Sequence, residues 1–226
     1  SVEPTLTFED ADAIAAEIPN VRRVSREQSA FDIDVQARDK TATTSIWGIS
    51  AEWMEIRGDD VTVGRGISPE DVETLARVAV IGEDLVRELF PDEDPIGKTI
   101  RIAEVPFTVQ GVLVPRGAGP GGSSLDNLLL MPVSTASKRL FNRDYLTTIT
   151  VQLEDPEKYA PAVAAITALL RERHGIVPPV EDNFTVSNPR AAMEQVEEVD
   201  TTLSSVLIGI AVIAAIIGGV VIMSLM

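Results

Sequence analysis

The chain has 226 residues, no cysteine, one histidine, and 35 acidic against 19 basic side chains, a formal charge of -16. A nucleic-acid partner is not expected, because the Lys and Arg needed to neutralise phosphates are in the minority. The missing cysteines exclude a disulfide frame, a Cys-rich zinc site and a thiol nucleophile, and a lone histidine leaves little imidazole chemistry.

Thr7 followed by Asp10 has the spacing of a capping box, and Ala11, Ile14, Ala15 and Ile18 form a helical stripe that Pro19 ends. Val21 to Val24, then Phe31, Ile33 and Val35, predict strand, and Thr41 to Ile49 predicts a second strand after a turn at Arg38, Asp39 and Lys40. Ala51 to Ile56 reads as a short helical turn, and Gly58, Asp59 and Asp60 as a loop. Ser68-Pro69 with Asp71 is another helix start; Arg77 to Ile81 is a short strand, and Glu83 to Phe90 an amphipathic helix. Strands follow at Thr99 to Ile102 and Phe107 to Val114, then a flexible Gly-rich loop over 116–124, a strand at Leu128 to Val133 and a helix at Ser134 to Leu140. Thr148 to Leu153 is a strand and Tyr159 to His174 a helix with Ala162, Val163, Ile166, Leu169 and Leu170 inward. Phe184 to Val186 supplies a last strand.

Strands and helices interleave, which predicts an α+β fold with a split βαβ arrangement. The strand-helix pair at 148–174 matches the opening pair in style, so 70–147 reads as a second α/β subdomain inserted between outer pieces at 1–69 and 148–188.

From Val206 to Met226 the chain carries no charge, and as a helix it spans roughly 30 Å, the thickness of a hydrocarbon core. Between His174 and this span the only basic residue is Arg190, while Glu194, Glu197, Glu198 and Asp200 precede it, which places residues 1–200 outside the cytoplasm. Within the span Ala211, Ala215 and Gly219 recur on one face, with Ala214 and Gly218 beside them, a pattern that lets a neighbouring helix approach. Asn188-Pro189 opens a stem helix over 189–205, with Met193, Val196, Val199 and Leu203 on its apolar face, that runs on into the span at 206–226. With no basic flank after Met226 and Ser1 in first place, the sequence reads as a fragment.

Familiar chemical motifs fail. Gly97-Lys98-Thr99 ends like a phosphate loop, but position 92 is Asp where Gly is needed. Asp92, Asp94 and Gly97 start an EF-hand spacing that Ile96 and Ala103 break. His174 follows Arg171 and Arg173 at a helix end, with Gly175 as the cap, and no Gly-x-Ser-x-Gly elbow supports a catalytic role. No catalytic, cofactor-binding or metal-binding residue is expected, so the chain is not expected to be an enzyme.

The stretch VAVIGEDLVRELFPDEDPIGKTIRIAEVPFTVQGVL (Val78 to Leu113) resembles the extracytoplasmic core domain of MacB-like ABC transporter permeases, the group that includes FtsX- and LolC-type proteins. So do LTFEDADAIAAEIPNVRRVS near the start, DNLLLMPVSTASKRL, LLRERHGI and NFTVSNP, in the same order. The resemblance implies a porter-like part from the outer pieces, a middle subdomain, and a position between the first two helices of a four-helix permease in the cytoplasmic (inner) membrane. It also implies a homodimer, an ABC ATPase subunit or fused domain that holds the ATP and magnesium, and in some members a periplasmic adaptor. The expected function is mechanotransmission: carrying ATP-driven movement across the bilayer to export or release a substrate. The alternative is an envelope module that recruits or regulates a partner without transport.

Overall fold

The computed structural model describes residues 5–119, 122–177 and 179–187, and the described residues up to Thr185 form one compact unit. In chain order the elements are β1 (Leu6–Thr7), α1 (Phe8–Glu17), β2 (Val21–Ala37), β3 (Lys40–Ile49), α2 (Glu52–Arg57), β4 (Val61–Gly64), α3 (Pro69–Glu73) and β5 (Val78–Ile81). There follow α4 (Glu83–Leu89), β6 (Thr99–Ile102), β7 (Val105–Leu113), β8 (Leu128–Pro132) and α5 (Val133–Thr135), which widens into a π-turn at Ala136–Phe141. The series ends with β9 (Tyr145–Leu146), β10 (Thr148–Leu153), a 3₁₀ turn at Pro156–Lys158 and α6 (Tyr159–Arg173). Both capping boxes form: Thr7 with Asp10 starts α1, and Ser68 with Asp71 starts α3.

The strand expected from Val21 to Val35 forms as one 17-residue strand, bent where Asp32 turns to a φ of 56° and the pairing with β3 slips. Two expectations are corrected. Phe184 to Val186 form no strand; Phe184 and its neighbour Asn183 contact His174 instead. The described part of the Gly-rich loop is tied rather than loose: the Asp126 carboxylate accepts from the backbone N–H groups of Arg116 and Gly117, and Ala118 bridges Ser124.

The eight-stranded sheet runs β10-β2-β3-β8-β5-β7-β4, and β6 pairs with both β7 and the far end of β2. Those pairings return the sheet to itself in a six-stranded ring of β2, β3, β8, β5, β7 and β6. Two contacts in it are parallel, β3 with β8 and β5 with β7, and the rest antiparallel. The core holds Ile46, Ile81, Ile100, Ile102, Phe107, Leu129 and Met131, all buried, with Leu85, Leu89 and Phe90 from α4 and its end packed in. Alternate residues of the same strands, Val80 and Leu130, join Ile49 and Trp53 in a second apolar cluster. Two buried faces explain why Arg77 to Ile81 and Leu128 to Met131 show continuous apolar runs instead of alternation. Gly48 on β3 allows the π-turn to lie close, since a Cβ there would collide with Ala136 Cβ.

β2 serves two neighbourhoods. Its first half, Val21 to Glu27, pairs with β10, and α1 packs on it. Its second half is a stave of the ring. The outer layer is thus α1, the start of β2, β10 and α6, whose Ala162, Ile166 and Leu170 are buried at i, i+4 and i+8. The sheet itself is continuous past residues 69 and 70, since β3 pairs with β8 and β2 with β6. The stem at 189–205 and the span at 206–226 lie outside the described residues. Among the described residues no helix is long and apolar enough to cross a membrane.

Candidate functional site

The capping box of α1 does more than start a helix. Asp10 is 2% exposed; its Oδ2 accepts from the backbone N–H of Thr7 at 2.9 Å, as a capping box requires. The other contacts come from the end of α6. Arg173 Nε donates to Asp10 Oδ1 at 2.6 Å, and His174 Nε2 lies 3.0 Å from Oδ2. Gly175, with a φ of 64°, ends α6 in the left-handed conformation that glycine adopts without strain, which sets His174 and Arg173 against α1.

The departing segment is fastened at the same place. His174 Nδ1 is 2.8 Å from Asn183 Oδ1, and the His174 ring meets Phe184 edge-on, centroids 5.8 Å apart. Thr5 Oγ1 donates to the Asn183 carbonyl oxygen at 3.1 Å. Arg171 grips Asp182 with two parallel hydrogen bonds of 2.7 and 2.8 Å. The segment that begins the outer layer and the one that leaves it therefore meet in one polar joint. At the other end of the layer, Asn20 and Asp155 exchange side-chain to backbone hydrogen bonds of 2.9 Å.

The electrostatics arise from this crowding. Burial works against the Asp10 charge, but hydrogen bonds from His174, Arg173 and Thr7 outweigh it, and the carboxyl is lowered to about 2. Burial also works against a charge on His174, and the hydrogen bonds to Asn183 and Asp10 with the Asp10 charge raise its pKa above 6.5 all the same. Arg173, held by Asp10, is raised too. A second buried carboxylate, Glu27, sits where β2 changes partners. Burial raises its pKa, offset in part by Thr150, Trp53, Arg57 and Ser25, and its Oε1 has no hydrogen-bond partner among the described residues.

Sequence reasoning does not find the joint, because its partners stand 163 and 164 positions apart. The pattern at His174 gives the helix end and its cap correctly and the partners not at all. Gly97-Lys98-Thr99 does not fit a phosphate: Lys98 Nζ pairs with Glu93 at 2.8 Å, and Thr99 opens strand β6 instead of a helix. Among the described residues no cluster of three acidic or histidine side chains could hold a metal. Ala211, Ala214, Ala215, Gly218 and Gly219 of the span, and Met193, Val196, Val199 and Leu203 of the stem, lie outside the described residues.

A family model described as the MacB-like periplasmic core domain matches residues 1–169. The macrolide export ATP-binding/permease protein MacB of Azoarcus sp. (strain BH72) is 34% identical over 227 residues, covering 98% of this chain and 33% of that protein. Its namesake in Rhodospirillum rubrum is 33% identical over 223 residues, with the same coverage. The chain spans about a third of the length of the curated relatives it matches. In fold it is similar to the periplasmic region of MacB from Actinobacillus actinomycetemcomitans, with a TM-score of 0.72 at 24% identity over 86% of this chain and 84% of that one. It is also similar to the extracellular domain of the noncanonic ABC-type transporter YknZ from Gram-positive bacteria, with a TM-score of 0.69 at 20% identity over 81% and 89%. By the family match and these relatives, the chain belongs to the MacB-like periplasmic core domains of ABC transporter permeases.

Proposed function

We propose that this chain carries ATP-driven movement from the membrane to the envelope side of an ABC permease, so that a substrate is exported or released. One observation carries the reading: the first and last described segments of the compact unit are joined side by side at Asp10, His174 and Asn183. A unit whose two connections lie together can hang between consecutive membrane helices and be pulled as one body. The uncharged run from Val206 to Met226 suits the helix that comes next, and the stem would pass its displacement into α6 and α1.

In this reading residues 1–69 and 148–188 supply the porter-like part and residues 70–147 the inserted subdomain, whose strands complete a ring with β2 and β3. The chain catalyses nothing itself. ATP and magnesium belong to an ABC ATPase, fused or separate, as the relatives' description as ATP-binding/permease proteins supports. Two permease copies form the working dimer in the inner membrane, the small-residue face at Ala211, Ala215 and Gly219 packs against a neighbouring helix, and a periplasmic adaptor completes the assembly. The relatives' names make a macrolide the first substrate to try.

The test is ATP hydrolysis and macrolide export by the whole permease in lipid vesicles, with and without residues 5–187. Hydrolysis that survives while export is lost supports the reading. Export that persists makes the chain a recruitment module for an envelope partner.

A further inference from the structure

His174 is the sole histidine of the chain, and its side chain is only 8% exposed. Each of its ring nitrogens faces an oxygen acceptor: Nε2 the carboxylate of Asp10, Nδ1 the side-chain oxygen of Asn183. A neutral imidazole has one donor nitrogen and one acceptor nitrogen, while an imidazolium donates from both. In this geometry a neutral ring sets lone pair against lone pair on one side. With the Asn183 oxygen turned to the ring, only the charged form satisfies both neighbours.

The surrounding groups agree. On α1, Asp10 is the carboxylate that touches the ring, and Glu9 and Glu17 lie in the field of the adjacent Arg173. From β1 and its approach, Thr7 holds Asp10 and Thr5 holds the Asn183 backbone. On α6, Arg173 shares Asp10 through the other oxygen and opposes the ring's charge, while Arg171 is taken up by Asp182. Phe184 covers the ring edge-on. Asp10 thus carries one negative charge between two cations, and the second acceptor, Asn183, belongs to the segment that leaves the unit.

We propose that His174 is a proton-operated fastener: the imidazolium pins the departing segment Asp182–Phe184 to α1, and loss of the proton frees that segment at Asn183. Envelope pH would then set how firmly the unit is coupled to the stem, tight in mild acid and slack in alkali. The consequence for transport rests on the mechanical reading of the proposed function. The fastener itself is read from the ring and the segment, so the two ideas can fail separately.

The first arm is an NMR titration of the imidazole in the full 226-residue chain in lipid bicelles, purified on a tag without histidine so that one ring signal is seen. The expected midpoint lies above 6.5 and falls in Asp10→Asn; a midpoint at or below 6.5 marks a neutral ring accepting from a rotated Asn183 amide and overturns the proposal. The second arm is hydrogen exchange of residues 171–184 at about pH 6 and about pH 8.5, corrected for intrinsic rates. Protection should fall several-fold more there than in the ring, and His174→Gln should remove that difference. Equal protection at both values overturns the fastener. If His174→Gln does not fold, Asn183→Asp serves instead, since a second carboxylate should move the midpoint up and extend protection to higher pH. ATP-coupled export over the same pH range then reports on the mechanical reading alone.

Discussion

The ring and the outer layer are built from opposite materials. The ring is closed by backbone pairing around an apolar filling of Ile, Leu, Val, Ala, Phe and Met, so its stability is spread over many interchangeable apolar contacts. The outer layer buries a stripe of each of its two helices but is locked at its ends by few polar contacts: Asn20 with Asp155 at one, Asp10 with Arg173 and His174 at the other. A spread-out core makes a stiff body, whereas a lock of named residues can be opened. The mechanical role proposed above would call for that division of labour.

The largest effect is expected inside the ring. Phe107 is 1% exposed and central to the core, and Phe107→Ala should cost about 3–5 kcal/mol, by lost burial and the cavity left behind. Urea unfolding can be followed through Trp47 and Trp53, the two tryptophans of the chain, which lie in the adjoining apolar cluster. If the fluorescence transition moves while ellipticity from the outer layer does not, the two regions unfold separately and the shared strand β2 fails to couple them.

This contrast also governs what the sequence could reveal. Strands and helices of both regions are announced by neighbours: the apolar runs at Val78 and Leu128, the caps at Thr7 and Ser68, and the stripe of α6 all lie within a few residues of their cause. The closure of the ring has no such signal, because β6 meets β2 through only two paired positions, Val35 with Ile102 and Gln36 with Arg101. Nor has the joint, where Asp10 looks from the sequence like half of a capping box and His174 like a cationic helix end. Both local readings are right. The third partner, Asn183, stands beside a run, Phe184 to Val186, whose alternation predicts strand, and its actual role depends on packing against a residue nine positions earlier.

A smaller effect is expected at the joint, and it carries a pH signature. Asp10→Ala removes both the cap and the charge that Arg173 and His174 share, which should cost about 2–4 kcal/mol. The carboxyl's pKa is lowered from 3.8 to about 2 by folding, so its contribution is complete above about pH 4 and disappears as the pH falls through 2. The imidazole is raised from 6.5, so its contribution is complete below 6.5 and disappears as the pH rises through the higher folded value. The joint is therefore tightest between these limits, and the stability gap between wild type and Asp10→Ala, measured by urea unfolding, should narrow on both sides. A gap that stays constant from pH 4 to pH 9 would show that the imidazolium adds nothing and that the capping box and Arg173 account for the loss.

The smallest effect is expected for an ion pair that belongs to neither lock nor core. Arg101 and Glu104 face each other at 2.6 Å across the β6–β7 turn, with side chains 53% and 82% exposed. Held in water, such a pair gains little over its entropy cost, and Arg101→Ala should change stability by no more than about 0.5 kcal/mol. The turn does not depend on it. Its two central residues, Ala103 and Glu104, both have positive φ, 45° and 67°, the geometry that matches the twist of a two-residue hairpin, and Ile100 and Ile102 anchor β6 from inside. The backbone strain sits at those two positions, so Glu104→Gly should stabilise the ring slightly even though it deletes the carboxylate. A loss in Glu104→Gly comparable to that of Asp10→Ala would mean that the ring, like the outer layer, is closed by a polar lock.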